Sequence, residues 1–238
     1  DPGTPLEQIA YERGFRSLWL APTDVGGRFS ALSVFGILPM ELMGIDSVAI
    51  WTSARRMAAS CAAGTSIPDN PGTRLGTALF NAYEAGRDKV TFVCSPSLTA
   101  FGMWAEQLIA ESTGKEGRGI CPVVDEPVCK PESYGDDRLF VFLTTEEDGR
   151  LDDFRRALSE CAQPVVTIRV SDAWDLGGEF FRWEFATAVA AAQLGIHPFD
   201  QPDVQASKVL TTEILEAHEE RGELNQDDPA FAAEGIQV

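Results

Sequence analysis

Val90-Thr91-Phe92-Val93-Cys94, then Ser95-Pro96-Ser97, then Phe101 to Ala110: these three stretches in succession decide the fold class of the chain. The first is a β-branched and aromatic run too short for a helix, and it reads as a buried strand. The serine–proline turn ends it, and a helical pattern follows. Outward from this βα unit the alternation continues. Ile120 to Val124 and Leu139 to Leu143 read as strands, Leu151 to Cys161 as an amphipathic helix, Val165 to Val170 as a strand, and Gly178 to Leu194 as a long, largely apolar helix. Strands separated by helices predict an α/β three-layer sandwich with a mainly parallel sheet. Right-handed crossovers put helices on both of its faces.

Before the unit, a helix is expected over Leu6–Arg13, with Thr4 or a neighbour as its cap and Gly14 as its end. Ser17-Leu18-Trp19-Leu20 reads as a further buried strand. Helices follow over Leu32–Met43, Ser47–Ala63 and Leu75–Ala85, the last two separated by a loop at Ser66–Gly72. After the unit, a terminal helix spans Val204 to Glu220, and the acidic tail from Gly222 to Val238 reads as mobile or as an arm on a partner subunit. Ligands of parallel sheets sit beyond the carboxyl ends of the strands. The Ser17–Leu20 and Val90–Cys94 strands both lead into loops there, so Gly26-Gly27-Arg28 and Ser95-Pro96-Ser97 are expected on one rim.

The net charge of −18 argues against a nucleic-acid partner, since no basic surface is available to meet phosphates. It also means that an anionic substrate needs a local cationic pocket, so each Arg or Lys in a site carries weight. The five cysteines (Cys61, Cys94, Cys121, Cys129, Cys161) include no Cys-x-x-Cys pair, and buried reduced thiols are expected rather than a disulfide framework or zinc site. The two histidines, His197 and His218, are not spaced as a metal pair. No apolar run is long enough to span a bilayer.

Three segments carry candidate chemistry. In Val25-Gly26-Gly27-Arg28-Phe29-Ser30, two glycines let the backbone approach a ligand and Arg28 supplies a cation for developing negative charge. Glu111, read as lying at the junction between helix and loop, is a candidate general base. In Pro198-Phe199-Asp200-Gln201-Pro202-Asp203-Val204-Gln205-Ala206-Ser207-Lys208, Gln201 and Lys208 lie seven residues apart, about two helical turns, and so share a face. Asp172, Asp175, Glu179 and Glu184 are read as solvated face residues, and Trp174, Phe180, Phe181, Trp183 and Phe185 as packing.

Taken in this order, with Glu111-Ser112-Thr113-Gly114-Lys115 between the two outer motifs and Phe180-Phe181-Arg182-Trp183-Glu184-Phe185-Ala186-Thr187-Ala188 before the last, the chain resembles the glucose-6-phosphate isomerase family. It is most similar to the isomerase portion of transaldolase/glucose-6-phosphate isomerase fusions. The resemblance runs from about Asp1 to Leu215. It implies a cytoplasmic enzyme of glycolysis and gluconeogenesis built from sugar-isomerase (SIS) domains. That enzyme interconverts glucose 6-phosphate and fructose 6-phosphate through a cis-enediol, uses no metal or organic cofactor, and works as a homodimer without nucleic-acid or membrane partners. Glu111 then matches the proton-transferring base, Arg28 the arginine on the enediolate and Lys208 the ring-opening lysine. Gln201, Gly26 and Gly27 match substrate-binding positions.

The chain departs from the family pattern in three ways. Asp203 and Gln205 stand where the family has Gly and Glu. No histidine lies between Glu111 and Pro198, so His197 is the candidate to serve in ring opening. No serine/threonine-rich phosphate loop is found. The resemblance therefore implies a piece: the end of the first SIS subdomain over residues 1–65, the second with its C-terminal helix over 66–221, and the tail over 222–238. The alternatives are a non-catalytic SIS module that binds a sugar phosphate, for which Glu111 would be dispensable, and a purely structural half-domain.

Overall fold

The computed structural model describes residues 1–145, 149–222, 232–233 and 236–237. These form two compact units, Asp1–Phe199 and Asp200–Val238. In the first, α1 (Pro5–Glu12), α2 (Val34–Leu42), α3 (Ser47–Ser60) and α4 (Pro71–Glu84) precede β1 (Lys89–Cys94). Then come α5 (Thr99–Thr113), β2 (Cys121–Val123), β3 (Arg138–Thr144), α6 (Arg150–Glu160), β4 (Val165–Arg169) and α7 (Leu176–Leu194). The second unit holds α8 (Pro202–Arg221) and a short antiparallel pair, β5 (Ala232–Ala233) and β6 (Ile236–Gln237). The rest of the tail from Gly222 lies outside the described residues.

The sheet is all parallel, in the order β2-β1-β3-β4. Its strands are apolar on both sides because both faces are covered. Val90 and Phe92 of β1 and Leu139, Val141 and Leu143 of β3 point into a core shared with α4, α5 and α7. The alternate residues Val93, Phe140 and Phe142 point the other way, against Leu158 and Phe154 of α6. Trp183 of α7 is fully buried and lies 5.1 Å from Phe92, ring centre to ring centre. This is the predicted three-layer architecture. The close α4–α7 crossing requires a glycine: a Cβ on Gly76 would stand 2.5 Å from the Ala186 carbonyl oxygen.

Helix signals act where they were read. Thr4 caps α1 by accepting from the Glu7 N–H, and Asn70 caps α4 by accepting from Thr73. Pro71 occupies the first turn of α4, so that helix begins well before the expected Leu75.

The Ser17–Leu20 expectation fails. This run has no strand geometry and is exposed, Trp19 to 56%. A strand exists only where a neighbour completes its ladder, and among the described residues none lies beside it. The surrounding N-terminal segment shares its character. Leu6, Tyr11, Phe15, Phe35, Leu42, Met43, Val48 and Trp51 are all exposed, and α2 buries no residue. Trp19, Leu32, Ile37, Val48 and Trp51 line an apolar groove of about 700 Å³. The thiols also depart from expectation. All five cysteines are free, but Cys121, Cys129 and Cys161 are exposed. Among the described residues no helix is long and apolar enough to cross a membrane.

Candidate functional site

Arg28 stands on a 3-10 turn, Gly27–Phe29, and its side chain turns inward to 1% exposure. Its Nε donates to Ser112 Oγ at 2.7 Å, its Nη2 donates to the Pro198 carbonyl, and its Nη1 lies 3.8 Å from Glu111 Oε2. Ser112 is itself fully buried. One guanidinium thus joins the last turn of α5 to the segment that follows α7. Burial and fixed partners make it a preorganised cation, which a flexible ammonium could not reproduce with the same geometry.

Glu111 lies inside α5, which runs on to Thr113, and not at a helix-to-loop junction as expected. Its carboxylate is one-third exposed, and Oε1 accepts from Gln107 Nε2 at 3.1 Å, one helical turn earlier. The base candidate therefore has one oxygen turned to Arg28 and remains reachable from solvent. Gly26 and Gly27 are exposed; neither has a positive φ, and a Cβ on either would meet nothing within 4 Å. The backbone here does not require glycine, so the open space beside Arg28 is a property of the surface and not of the turn.

The position of this cluster overturns the expected rim. In a βα crossover the helix runs back against its strand. The C-terminal end of α5 therefore returns to the amino edge of the sheet, where the Thr113 hydroxyl accepts from the Ile120 N–H just ahead of β2. The Ser95–Ser97 turn is at the opposite, carboxyl edge, one helix of 15 residues and about 22 Å away. There Ser95 Oγ accepts from Thr145 N and ties the β1 and β3 loops together. Both α5 and α7 follow strands, so both end at the amino edge. Helix C-termini carry unpaired carbonyls and partial negative charge, and the cations gather there.

Lys115 and Arg118 belong to the same gathering, and the sequence reading assigned them no role. Lys115 is 5% exposed, and its Nζ donates to the His197 carbonyl at 2.7 Å. Arg118 donates to the Leu194 carbonyl. The available signal was the placement of two cations, Lys115 and Arg118, around Gly117 in a strongly acidic chain. His197 is exposed, its ring edge-on to Phe199 at 5.6 Å, and Phe199 in turn packs on Phe29 at 4.9 Å. The structure thus brings together Gly26, Gly27, Arg28, Glu111 and His197 in the first unit.

Gln201 and Lys208 belong to the second unit. Gln201 takes the N-cap position of α8 without a side-chain capping bond, Pro202 opens the helix, and Lys208 is exposed two turns on. His218, also on α8, is exposed.

The carboxylates of α7 differ from their reading as solvated. Glu179 is 4% exposed and pairs with Arg182 at 3.1 Å. Burial pushes its carboxyl up to about 7 against the pull of Arg182. Burial alone pushes Glu184 up to about 8. The Cys94 thiol, raised to about 11 by burial, is protonated at neutral pH and is no nucleophile. Among the described residues, no group of three His, Cys, Asp or Glu side chains could hold a metal ion.

No protein-family model matches the chain. Curated relatives do. Over 246 residues, 85% of this chain, it is 30% identical to a protein named glucose-6-phosphate isomerase from Heliobacterium modesticaldum, and it covers 54% of that protein. Over 247 residues, 87% of this chain, it is 31% identical to one of the same name from Rubrobacter xylanophilus, covering 56% of it. The chain therefore spans about half the length of the curated relatives it matches. Among solved structures, a hypothetical protein from Thermus thermophilus superposes with a TM-score of 0.73 at 23% identity, over 89% of this chain and 60% of that one. A glucose-6-phosphate isomerase from Chlamydia trachomatis superposes with a TM-score of 0.65 at 18% identity, over 90% of this chain and 56% of that one. These two show the shared fold.

Proposed function

We propose that this chain supplies the base and the enediolate-binding cation of a glucose-6-phosphate isomerase, interconverting glucose 6-phosphate and fructose 6-phosphate. The observation that carries the reading is the Arg28–Glu111 pair, a solvent-reachable carboxylate 3.8 Å from a buried, doubly anchored guanidinium. Aldose–ketose isomerisation through a cis-enediol moves one proton between C2 and C1 and leaves negative charge on a sugar oxygen in between. A carboxylate positioned at the sugar performs the first task. A cation that need not reorganise performs the second. The bare backbone at Gly26 and Gly27 leaves space for the sugar beside both. Lys208, with His197, is assigned to ring opening and Gln201 to binding hydroxyls. These roles rest on the motif resemblance.

The chain is read as the second half of such an enzyme, with residues 1–65 closing the first SIS subdomain and 66–221 forming the second. Two observations support this: the half-length match to the named relatives and the exposed apolar groove at Trp19 and Trp51. On the same reading the parent protein is a cytoplasmic homodimer, and a transaldolase precedes the isomerase in it. The phosphate contacts lie in the first half, and with them much of the binding energy that raises the chemical rate. This chain alone is therefore weak or inactive.

Proton exchange tests the reading. In deuterated water the intact enzyme should label fructose 6-phosphate at C1, and Arg28→Met should slow labelling about a hundredfold or more, as loss of a preorganised donor does. Labelling that is unchanged in Arg28→Met removes the arginine from the mechanism. A protein that binds the sugar phosphate yet never exchanges a proton is instead a sugar-phosphate-binding module.

A further inference from the structure

The loop between α5 and β2 is a two-residue hairpin turn. Lys115 N donates to the Arg118 carbonyl at 3.1 Å and Arg118 N donates to the Lys115 carbonyl at 3.0 Å. The residues between them, Glu116 and Gly117, have φ of 56° and 71°. Positive φ at both central positions is the type I′ arrangement, the tightest way to reverse a chain. Directly paired residues of such a hairpin project their side chains to the same face. Lys115 and Arg118 do so, and both reach the segment after α7: Arg118 donates to the Leu194 carbonyl and Lys115 Nζ to the His197 carbonyl at 2.7 Å. Arg28 holds the next carbonyl, that of Pro198. Three cations from two loops thus clasp five residues of chain. Gly195, left-handed at φ 73°, has already ended α7 there, so no helical bonds fix the segment beyond it.

We infer that Lys115 is a positioning residue of the site. Its buried ammonium fixes the His197 backbone, and through it the imidazole and the Pro198 carbonyl that anchors Arg28. The inference deepens the function proposed above and rests on it for its kinetic consequence alone. Burying a lysine to 5% exposure costs solvation that only a well-made hydrogen-bonding arrangement offsets. The arrangement found here serves the segment that joins Arg28 to His197. A solubilising lysine would lie on the surface.

Two readouts separate the clasp from the function. The chain has two histidines, so a His218→Asn background leaves one imidazole signal, that of His197. In that background Lys115→Met should broaden or shift the His197 ring resonance. Lys115→Arg, which keeps a charged donor, should restore it, and the exposed Lys130→Met should leave it in place. In the full isomerase Lys115→Met should lower kcat about tenfold or more with a smaller change in KM, because a small misplacement of reacting groups costs this much. An unchanged His197 resonance in Lys115→Met overturns the inference. A changed resonance in a protein with no isomerase activity, wild type included, leaves the clasp standing and removes the function. If Lys115→Met does not fold, the unmodified chain decides: Lys115 ammonium protons that exchange slowly support the clasp, and protons exchanging at the rate of a solvated lysine overturn it.

Discussion

Glu184→Gln should flatten the dependence of stability on pH. Burial raises the Glu184 carboxyl from 4.5 to about 8, and Oε1 has no hydrogen-bond partner among the described residues. A carboxyl raised in the folded state costs nothing below its unfolded pKa, where it is protonated in both states. As pH climbs, the unfolded chain ionises first and the native state holds the extra proton, so stability falls from about pH 4.5 to about pH 8 and then levels. At about 1.36 kcal/mol per pH unit that interval bounds the loss at roughly 5 kcal/mol. Partial exposure and local relaxation reduce it to about half. Glutamine is neutral throughout, so the difference between variant and wild type should grow by about 2–3 kcal/mol in the variant's favour between pH 5 and pH 8.5. Urea unfolding of both proteins at four or five pH values measures this, and taking the difference at each pH cancels Glu179 and the general charge of the chain. Parallel stability curves would refute the reasoning and show that Glu184 reaches water in the folded protein.

Other perturbations follow from the same packing. Gly76→Ala places a methyl 2.5 Å from the Ala186 carbonyl and 2.7 Å from Val189 Cβ. It should cost about 1–3 kcal/mol in urea unfolding, and a neutral effect would mean that α4 and α7 are not so closely apposed. Phe142→Ala empties a fully buried position between β3 and α6. It should cost about 3–5 kcal/mol, read as a fall in the denaturation midpoint. Trp51→Glu should reduce binding of an apolar dye to this chain while leaving its circular dichroism unchanged, because Trp51 lines the open apolar groove and is half exposed. Undiminished dye binding would place the exposed apolar surface elsewhere.

The sheet and its helices were legible because each strand is a short β-branched or aromatic run between turn residues and each long helix has a cap. Val90–Cys94, Leu139–Leu143 and Gly178–Leu194 are examples, each matched within two residues or so. Ser17–Leu20 passed the same local test and failed, because a ladder partner is not a local property. Arg28 and Glu111 were legible as motif residues, and the structure brings them together. Their location at the amino edge was not legible. It follows from where helices end in space, and the expectation had been anchored to where strands end. Lys115 was hidden by its type: a lysine beside Gly114 reads as surface, and only the I′ turn and the ends of α5 and α7 turn it inward. Glu179 and Glu184 were misread for a related reason. A helix pressed by α3, α4, α5 and the sheet has little solvated face left on which to put them.

The central claim is that Glu111 moves the proton. The most direct measurement is fructose 6-phosphate isomerisation by the chain with the missing half of its length supplied from the Heliobacterium relative, compared with the same protein carrying Glu111→Gln. The account predicts isomerisation in the first and a loss of about 10²–10⁴-fold in the second, with sugar phosphate still bound. Equal rates in the two proteins would contradict it.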